Sequence, residues 1–377
     1  MRSSYLAFTF LFLTLTPACK SAKTNPAAGP VSPPVGTANG TSSTPAPDAA
    51  TTPPVASAPL TCRTVPECQQ KLPDFGPATG FKTVSSKIKS VATDTAAHRG
   101  RDMLVVEGQD PSIVARFALG GVADIPVTGE AVDIYMSKGC TEGWTKVGTV
   151  TTSDGKTKRS MEGIDDNGGY VMSSLSSLGV TGLSVGRHHF VLVLKPNNDT
   201  VELYIEVLPK KNAVVVSDID GTLTSSENAA ASEVIRVHPA ARPGAAELMK
   251  DFYTKGYDIF YLTARPVGLL PATRDWLNVR GFPPGVIHTT NLALGATGTA
   301  AANFKVNELA QLRKSTGIVP TYAFGNKPSD VDAFKTAGVL AANSYFYQLT
   351  GDTTGAKVIN DYTAFTPTIQ SIPSYCP

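Results

Sequence analysis

Two aspartates, Asp218 and Asp220, end an apolar run in the segment AVVVSDIDGTLT, which covers residues 213–224. The three valines before them predict a buried strand, and ligands of parallel α/β sheets bind at the carboxyl ends of the strands. One carboxylate there can attack a phosphorus atom, and a second can protonate the leaving alkoxide. Aspartate and glycine are also common turn residues, so the pair alone does not establish a site.

Three later segments place polar groups at the end of a predicted strand or the start of a predicted helix, namely YLTARP, NFKVNE and TYAFGNKPSD. Together with SDIDGT they resemble the four ordered motifs of the haloacid dehalogenase superfamily of phosphotransferases. The resemblance implies a Rossmann-like α/β domain with Asp218 as nucleophile and Asp220 as general acid and base. It also implies that Thr263 donates a hydrogen bond to the phosphoryl group and that Lys305 binds it as a cationic clamp.

The same motifs assign the substrate and metal contacts. The residues predicted to bind the substrate are Gly221, Thr222 and Arg265. Family members use Mg²⁺, and the predicted metal ligands are Asp218, Asp220 and Asn326, with Asp330 behind them orienting a bound water or Lys305. Asn326 follows Gly325 where the family usually has aspartate, and an amide oxygen can still bind magnesium. Mg²⁺ and Lys305 would both offset the repulsion between an anionic phosphate monoester and the attacking carboxylate.

Three details narrow the resemblance to one branch of this superfamily. They are DIDGT, LTAR followed by TRDWL, and FGN with Asp330 four residues after its asparagine. These are similar to the catalytic domain of the lipins, the Mg²⁺-dependent phosphatidate phosphatases. The resemblance implies hydrolysis of phosphatidic acid to diacylglycerol.

The preceding segments HRGRDMLVVEG and ARFALGGVADIPVTGEAVDIYM resemble the C-terminal region of the membrane-associated phosphatidylinositol transfer proteins of the retinal degeneration B type. In that region a β-rich segment precedes a lipin-like domain that has lost the nucleophile and is thought to sense phosphatidic acid. Asp218 is present here. Two hypotheses therefore stay open, an active phosphatase and a catalytically weak module that binds phosphatidic acid in membranes.

The spacing of the motifs predicts an open site with a minimal cap. Thr222 and Thr263 are 41 residues apart (263 − 222), and Thr263 and Lys305 are 42 apart (305 − 263). Each interval is little longer than the intervening sheet and helix elements need. An open site suits a phosphate carried by a bulky lipid headgroup better than a small metabolite that must be enclosed to exclude water.

Strands and helices alternate in the predicted catalytic domain, residues 211–350. VVV, YDIFYL and TYAF predict strands, and RPGAAELMKDFYTKG, LLPATRDWLNVRG, FKVNELAQLRK and SDVDAFKTAG predict helices, the last capped by Ser329. Such alternation predicts a parallel sheet covered on both faces. Arg274, on the second of these helices, is a candidate for a headgroup contact or for a packing residue.

Period-two runs between residues 95 and 210 predict an antiparallel β-sandwich of the immunoglobulin-like type. The runs are SIVARFAL, EAVDIYM, HHFVLVLK and TVELYIEV, with KPNNDT as a hairpin connection. In the last run Val201, Leu203, Ile205 and Val207 share one face. His188 and His189 are neighbours on a strand and point to opposite faces, which argues against a shared metal.

The amino-terminal part predicts export. Residues 1–18 have one early arginine and a short apolar stretch, as in a signal peptide, and LTPAC resembles a bacterial lipoprotein signal in which Cys19 is lipidated. The chain would then be anchored in the bacterial cell envelope; the alternative is a secreted or periplasmic soluble protein. Residues 19–60, rich in Pro, Ala and Thr, predict a disordered tether. The expected partners are a phosphorylated lipid or another phosphomonoester and a membrane surface, while a net charge of +2 gives no case for nucleic acid.

If Cys19 is lipidated, four of the five cysteines remain. In an oxidising compartment these four are expected to form disulfides. Cys62 and Cys68 lie in a lead-in, residues 61–94, and are close enough in sequence for a small local loop. Cys140 would then pair with Cys376 and tie the predicted C-terminal tail, residues 351–377, to the body. Four cysteines allow three pairings, so the connectivity is an expectation only.

Overall fold

A computed structural model describes residues 62–376 except positions 67, 69, 84–85, 88–94, 226–237 and 293. The predicted signal peptide, Cys19 and the predicted tether lie outside the described residues. Among the described residues, every helix is too short or too polar to cross a bilayer.

The amino-terminal half is a β-sandwich. Its strands are β1 (Arg99–Gly100), β2 (Met103–Val106), β3 (Ser112–Arg116), β4 (Ala118–Leu119), β5 (Ile125–Pro126), β6 (Ala131–Ser137), β7 (Thr145–Thr151), β8 (Ser160–Met161), β9 (Ile164–Asp165), β10 (Tyr170–Ser174), β11 (Gly186–Leu194) and β12 (Asp199–Leu208). One sheet has the order β1-β3-β10 and the other β2-β12-β11-β6-β7. The predicted face of β12 is confirmed, because its four alternate apolar side chains are buried in the core between the sheets.

The sandwich differs from the prediction in one strand pair. β2 runs parallel to β12, with Met103 opposite Ile205, so the larger sheet is mixed rather than purely antiparallel. Nearly the whole sandwich separates these strands in sequence, so no tight hairpin forces them to be antiparallel. The hairpin between β11 and β12 is confirmed, with Leu194 opposite Asp199.

The two neighbouring histidines of β11 do point to opposite sides. His188 contacts the carbonyl of Ser184 at 2.8 Å, whereas His189 contacts Glu202 at 3.1 Å and stacks on Tyr204. Each ring therefore has its own partner on its own side of the sheet.

The carboxyl-terminal half is a parallel sheet between helices. The strands are β13 (Val214–Ser217), β14 (Asp258–Pro266), β15 (Val286–Thr290), β16 (Tyr322–Gly325), β17 (Ser344–Tyr347) and β18 (Lys357–Ile359), in the order β15-β14-β13-β16-β17-β18. The helices are α1 (Ala245–Thr254), α2 (Leu270–Val279), α3 (Gly298–Thr316), α4 (Pro328–Ala337) and α5 (Thr366–Ser371). Neighbouring strands are all parallel.

Helices cover both faces of this sheet, as predicted. Leu248 and Phe252 of α1 and Trp276 of α2 pack in one core, and Leu309 of α3 and Phe334 of α4 pack in the other. Apolar side chains therefore cover both faces of the sheet. Polar groups of the central strands can be reached by solvent only at the strand ends.

The predicted cap of the last motif helix is wrong. α4 begins at Pro328, so Ser329 lies inside its first turn and Lys327 holds the cap position. The Asp330 carboxylate accepts a hydrogen bond from the Lys327 amide instead, at 3.0 Å. Proline is favoured at the first helical position, and this moves the helix start towards the amino terminus.

The segment predicted as a tail belongs to the body. β18 adds a sixth strand to the sheet, and Tyr362, Phe365 and Ile369 are buried in the core beside α1. These three apolar residues form too short a pattern to predict a helix in a terminus that contains prolines. In the structure their side chains pack in the core beside α1.

The disulfide pairing also differs from the expectation. Cys62 bonds Cys376, and Cys68 bonds Cys140. The Cys62 amide donates to the carbonyl of Thr254, and the Tyr375 amide donates to that of Lys255. The end of α1 therefore brings the two ends of the described body together, while Cys68 lies farther along and bonds Cys140 of the sandwich.

A buried polar cluster joins the two halves. The Asp102 carboxylate, wholly buried, accepts hydrogen bonds from the amides of Tyr204 and Ile287 at 2.9 and 3.1 Å and from the Arg274 guanidinium at 2.9 Å. Of the two roles considered for Arg274, packing is the one the structure shows. The guanidinium also lies over the ring of Tyr204.

Glu308 extends this cluster to α3, the helix that carries Lys305. It contacts Arg101 at 2.7 Å and His288 at 2.6 Å. Burial alone would raise the pKa of Glu308, but the charges of Arg101 and His288 outweigh it and lower that pKa to about 2. The β-sandwich thus helps to fix the helix that supplies the predicted cationic clamp.

Candidate active site

The two aspartates of the first motif lie just beyond β13, at the centre of the sheet's carboxyl edge. The Asp218 amide donates to the carbonyl of Phe324 in the neighbouring strand, at 2.9 Å. Gly221 has a φ of 79°, a left-handed conformation that costs glycine little. The chain can therefore turn away at once and leave both carboxylates at the strand end.

The Asp218 carboxylate is held from two sides. One oxygen lies 2.5 Å from Lys305 Nζ, and the other accepts from the Thr222 hydroxyl at 3.0 Å. Asp218 is only 5% exposed. Burial raises the pKa of this carboxyl, Lys305 opposes the rise, and the nearby Asp330 and Asp220 add to it.

Lys305 lies between two carboxylates. Its Nζ is 2.5 Å from Asp218 Oδ1 and 2.5 Å from Asp330 Oδ1, and the residue is 3% exposed. Burial alone would lower the pKa of Lys305, but the two carboxylates outweigh it and raise that pKa above its usual value. Lys305 is therefore a charged group at the base of the cleft.

The glycine of the last motif allows Asp330 to come this close. A Cβ on Gly325 would lie 2.5 Å from the Cβ of Asp330 and 2.8 Å from one of its carboxylate oxygens. That same oxygen accepts from the amides of Asn326 and Lys327, both at 3.0 Å. Asp330 thus positions Lys305 with one oxygen and the Asn326 loop with the other.

Asp220 belongs to a second group of contacts. Its carboxylate accepts from the Thr263 hydroxyl at 3.0 Å and from two nitrogens of Arg265 at 2.8 and 3.0 Å. Arg265 is 2% exposed and also donates to the Thr273 hydroxyl. In this arrangement Thr263 and Arg265 both orient Asp220, and the predicted contacts of these two residues with substrate stay predictions.

Oxygen atoms suited to magnesium converge on one hydroxyl. Thr222 Oγ1 lies 3.0 Å from Asp218 Oδ2 and 3.1 Å from Asn326 Oδ1, and its single proton can go to only one of them at a time. Carboxylate and amide oxygens are the hard donors that Mg²⁺ prefers. The residues present therefore fit the predicted metal.

Two residues that the sequence did not indicate hold the first motif in place. The Arg242 guanidinium donates to the carbonyl of Gly221 at 3.0 Å, and the Tyr362 hydroxyl donates to that of Thr222 at 3.1 Å. Arg242 and Tyr362 both donate to main-chain carbonyl oxygens. Such contacts leave no pattern of side-chain types in the sequence, so the sequence could not have predicted them.

The site opens into a cleft of about 560 Å³. Asp218, Asp220 and Lys305 lie in it, and one wall consists of small residues, among them Ala264, Ala296, Gly298, Ala301 and Ala302. This wall leaves room for a bulky group carrying the phosphate.

Comparison with known families identifies both halves of the described body. The family model for the LNS2 domain of PITM 1-3 matches residues 215–348, and that for the β-sandwich domain of PITM 1-3 matches residues 96–207. The two matches follow the order of the described architecture, a β-sandwich and then a parallel α/β domain similar to LNS2 domains. The LNS2 match contains every motif residue of the site.

Curated relatives align with most of this chain but are themselves much longer. Protein retinal degeneration B of Drosophila melanogaster is 28% identical over 295 residues, which cover 77% of this chain and 21% of the relative. Membrane-associated phosphatidylinositol transfer protein 1 of Rattus norvegicus is 29% identical over 266 residues, 70% of this chain and 19% of the relative. The chain thus spans about a fifth of the length of these relatives.

The solved structures found by comparison are more distant. A phospho-aspartyl intermediate analogue of phosphoserine phosphatase has a TM-score of 0.31 and 14% identity, covering 42% of this chain and 99% of that one. The class C acid phosphatase of Bacillus anthracis with tungstate bound has a TM-score of 0.27 and 21% identity, covering 44% and 81%. Both TM-scores are low, so the fold assignment stands on the strands and helices of the LNS2 domain itself.

Proposed function

We propose that this chain is a Mg²⁺-dependent phosphatase of the haloacid dehalogenase type that hydrolyses a phosphomonoester through an aspartyl-phosphate on Asp218. The observation that carries the proposal is the paired arrangement at the end of β13. Asp218 lies against Lys305 at 2.5 Å, and Asp220 is held separately by Thr263 and Arg265. These separate surroundings support different roles for the two carboxylates, attack by Asp218 and proton transfer by Asp220.

In the first step a carboxylate oxygen of Asp218 forms a bond to phosphorus, and the bond from phosphorus to the alkoxide oxygen breaks. Asp220 gives its proton to that alkoxide, which leaves as an alcohol. Lys305 offsets the negative charge that accumulates on the phosphoryl oxygens.

In the second step a water oxygen attacks phosphorus and Asp220 takes a proton from that water. The bond between phosphorus and Asp218 breaks, which releases inorganic phosphate and restores the carboxylate. When bound, Mg²⁺ would supply further positive charge opposite the phosphate; Asp218, Asn326 and the main-chain carbonyl of Asp220 would hold it.

For the substrate we propose phosphatidic acid, hydrolysed to diacylglycerol. Support comes from the lipin-like LNS2 match and from the small-residue wall of the cleft. The short intervals between motifs also favour a minimal cap, which would leave the site open to a headgroup at a membrane surface.

A phosphate-release panel tests the reaction and the substrate together. The purified chain is assayed on phosphatidic acid, lysophosphatidic acid, diacylglycerol pyrophosphate and soluble sugar phosphates, with Mg²⁺ or with a chelator. We expect release from phosphatidic acid that stops in chelator and returns with Mg²⁺. Binding to phosphatidic acid membranes without release from any substrate would instead identify a catalytically weak binding module.

The metal role of Asn326 gives a separate prediction. Asn326→Ala removes one oxygen donor, so the Mg²⁺ concentration for half-maximal activity should rise by about tenfold or more. Asn303→Ala is the matched control, because this exposed amide lines the same cleft and has no predicted role. Equal Mg²⁺ requirements for the two variants would show that Asn326 is not a ligand.

We further propose that the chain is exported and anchored in the bacterial envelope through Cys19. The short apolar segment before Cys19 supports export, and so do the two disulfides of the body, since disulfides persist in oxidising compartments. Two or more acyl chains hold a protein on a membrane, so Cys19→Ala should move it to the soluble fraction. Unchanged membrane partitioning of that variant would rule the anchor out.

A further inference from the structure

Two leucines project from the loop between β15 and α3. Leu292 is 54% exposed and Leu294 is 83% exposed, the highest value for a large apolar side chain among the described residues. Singly exposed leucines are ordinary on protein surfaces, but two within three residues beside a candidate active site call for a partner.

The loop is fixed to the active-site edge of the sheet. The Ala296 amide donates to the carbonyl of Ala264 at 2.9 Å, next to Thr263. Gly295 packs so closely that a Cβ there would lie 2.8 Å from the same carbonyl. The position of the two leucines relative to the catalytic groups is thus set by main-chain contacts.

The surrounding sequence carries no charge. From Thr289 to Phe304 there is no Asp, Glu, Lys, Arg or His, although Asn291, Thr297, Thr299 and Asn303 are exposed. A charged side chain is costly to move from water to a lipid interface, whereas small and hydroxylated residues are not. An exposed, uncharged segment with two leucines suits insertion into a lipid surface.

The depth of the catalytic groups gives the second argument for a lipid partner. Asp218, only 5% exposed, lines the cleft, and Ala296 and Thr297 of the loop line it as well. A lipid phosphate sits just outside the acyl region, so a protein that admits it must bring this rim to the headgroup layer. Apolar side chains on such a rim reach about 5–10 Å into the boundary of headgroups and acyl chains.

We propose that residues 291–292 and 294–297 form a docking lip that inserts Leu292 and Leu294 into a lipid bilayer beside the cleft. The inference rests on the proposed function, because it takes a phosphorylated lipid as the substrate that the lip presents. It assigns membrane contact to the folded body itself, in addition to any anchor at Cys19.

The test uses the full-length chain with Cys19→Ala, so that acylation cannot contribute. The lip variant is Leu292→Ser/Leu294→Ser. The matched control is Val279→Ser/Leu340→Ser, whose residues are 57% and 67% exposed and lie at the end of α2 and before β17, on the opposite edge of the sheet. Thermal melting verifies that both variants are folded.

Binding is measured by flotation with phosphatidylcholine vesicles that contain phosphatidic acid. The lip variant should lose roughly tenfold in affinity per leucine, and the control should match the parent chain. Phosphate release from those vesicles should fall in the lip variant, whereas release from a water-soluble phosphomonoester should be the same in all three proteins.

Vesicle binding that is equal in the lip variant and the parent, or absent from the parent, would overturn the docking lip even if the chain is an active phosphatase. So would a lip variant that changes only self-association in light scattering, which would make the leucines a contact between copies of the chain. If no protein releases phosphate but the lip variant alone loses vesicle binding, the proposed function fails and the docking lip stands.

Discussion

Asp218→Asn should lower the rate of phosphate release by at least about 10⁴-fold. The amide has nearly the shape of the carboxylate but is a poor nucleophile, so the first bond to phosphorus cannot form. Because Lys305 keeps its contact with Asp330, we expect the fold to persist. Removal of one negative charge should leave binding to phosphatidic acid vesicles unchanged or tighter. Phosphate release, vesicle flotation and thermal melting measure the three effects.

Asp332→Asn is the matched control for this substitution. Asp332 is exposed and lines the same cleft from α4, but it has no role in the proposed mechanism, so its variant should keep the activity of the parent. Substantial phosphate release by Asp218→Asn would show that Asp218 is not the nucleophile. A general loss in both variants would point to the charge of the cleft rather than to one reacting atom.

The largest effect on stability should come from Asp102. Asp102→Ala leaves the Arg274 guanidinium and the amides of Tyr204 and Ile287 without their buried acceptor. Breaking a buried charge pair in this way typically costs about 3–5 kcal/mol. The free energy of unfolding, measured in urea, should fall by that amount.

Asp275→Ala provides the comparison, because Asp275 lies on α2 next to Arg274. The Asp275 side chain is 60% exposed and contacts His238 at 3.4 Å, and exposed pairs contribute about 0–1 kcal/mol. If Asp102→Ala costs no more than Asp275→Ala, the buried cluster does not hold the two domains together.

The sequence predicted the elements whose pattern is local. The alternate apolar residues of β12 and the apolar run of β13 each predict a strand from a few consecutive residues. β18 and the buried Tyr362 were missed because their structure depends on α1 and β17, which are distant in the chain. The predicted disulfide pairing was wrong for the same reason. Contacts with the end of α1, and not proximity in sequence, bring Cys62 to Cys376.

Within the site, the sequence indicated the residues but not all of their partners. Asp330 was expected behind Lys305, and the structure places it there, because both follow from the motif spacing on α3 and α4. The contact between Arg265 and Asp220 was not expected, and the predicted contact of Arg265 with substrate stays a prediction. The contact with Asp220 depends on the path of the chain in the last part of β14, where the register with β15 shifts between Leu262 and Pro266. Residue types do not reveal such a shift.

The bond between Cys62 and Cys376 spans 314 positions, and it makes the whole described body one covalent ring. A protease that cuts the backbone once anywhere inside this ring opens it but releases no fragment. The nicked molecule keeps its mass until a reductant or a second cut separates the pieces. While this disulfide is intact, the β-sandwich and the α/β domain would therefore remain one covalent molecule after a single cleavage.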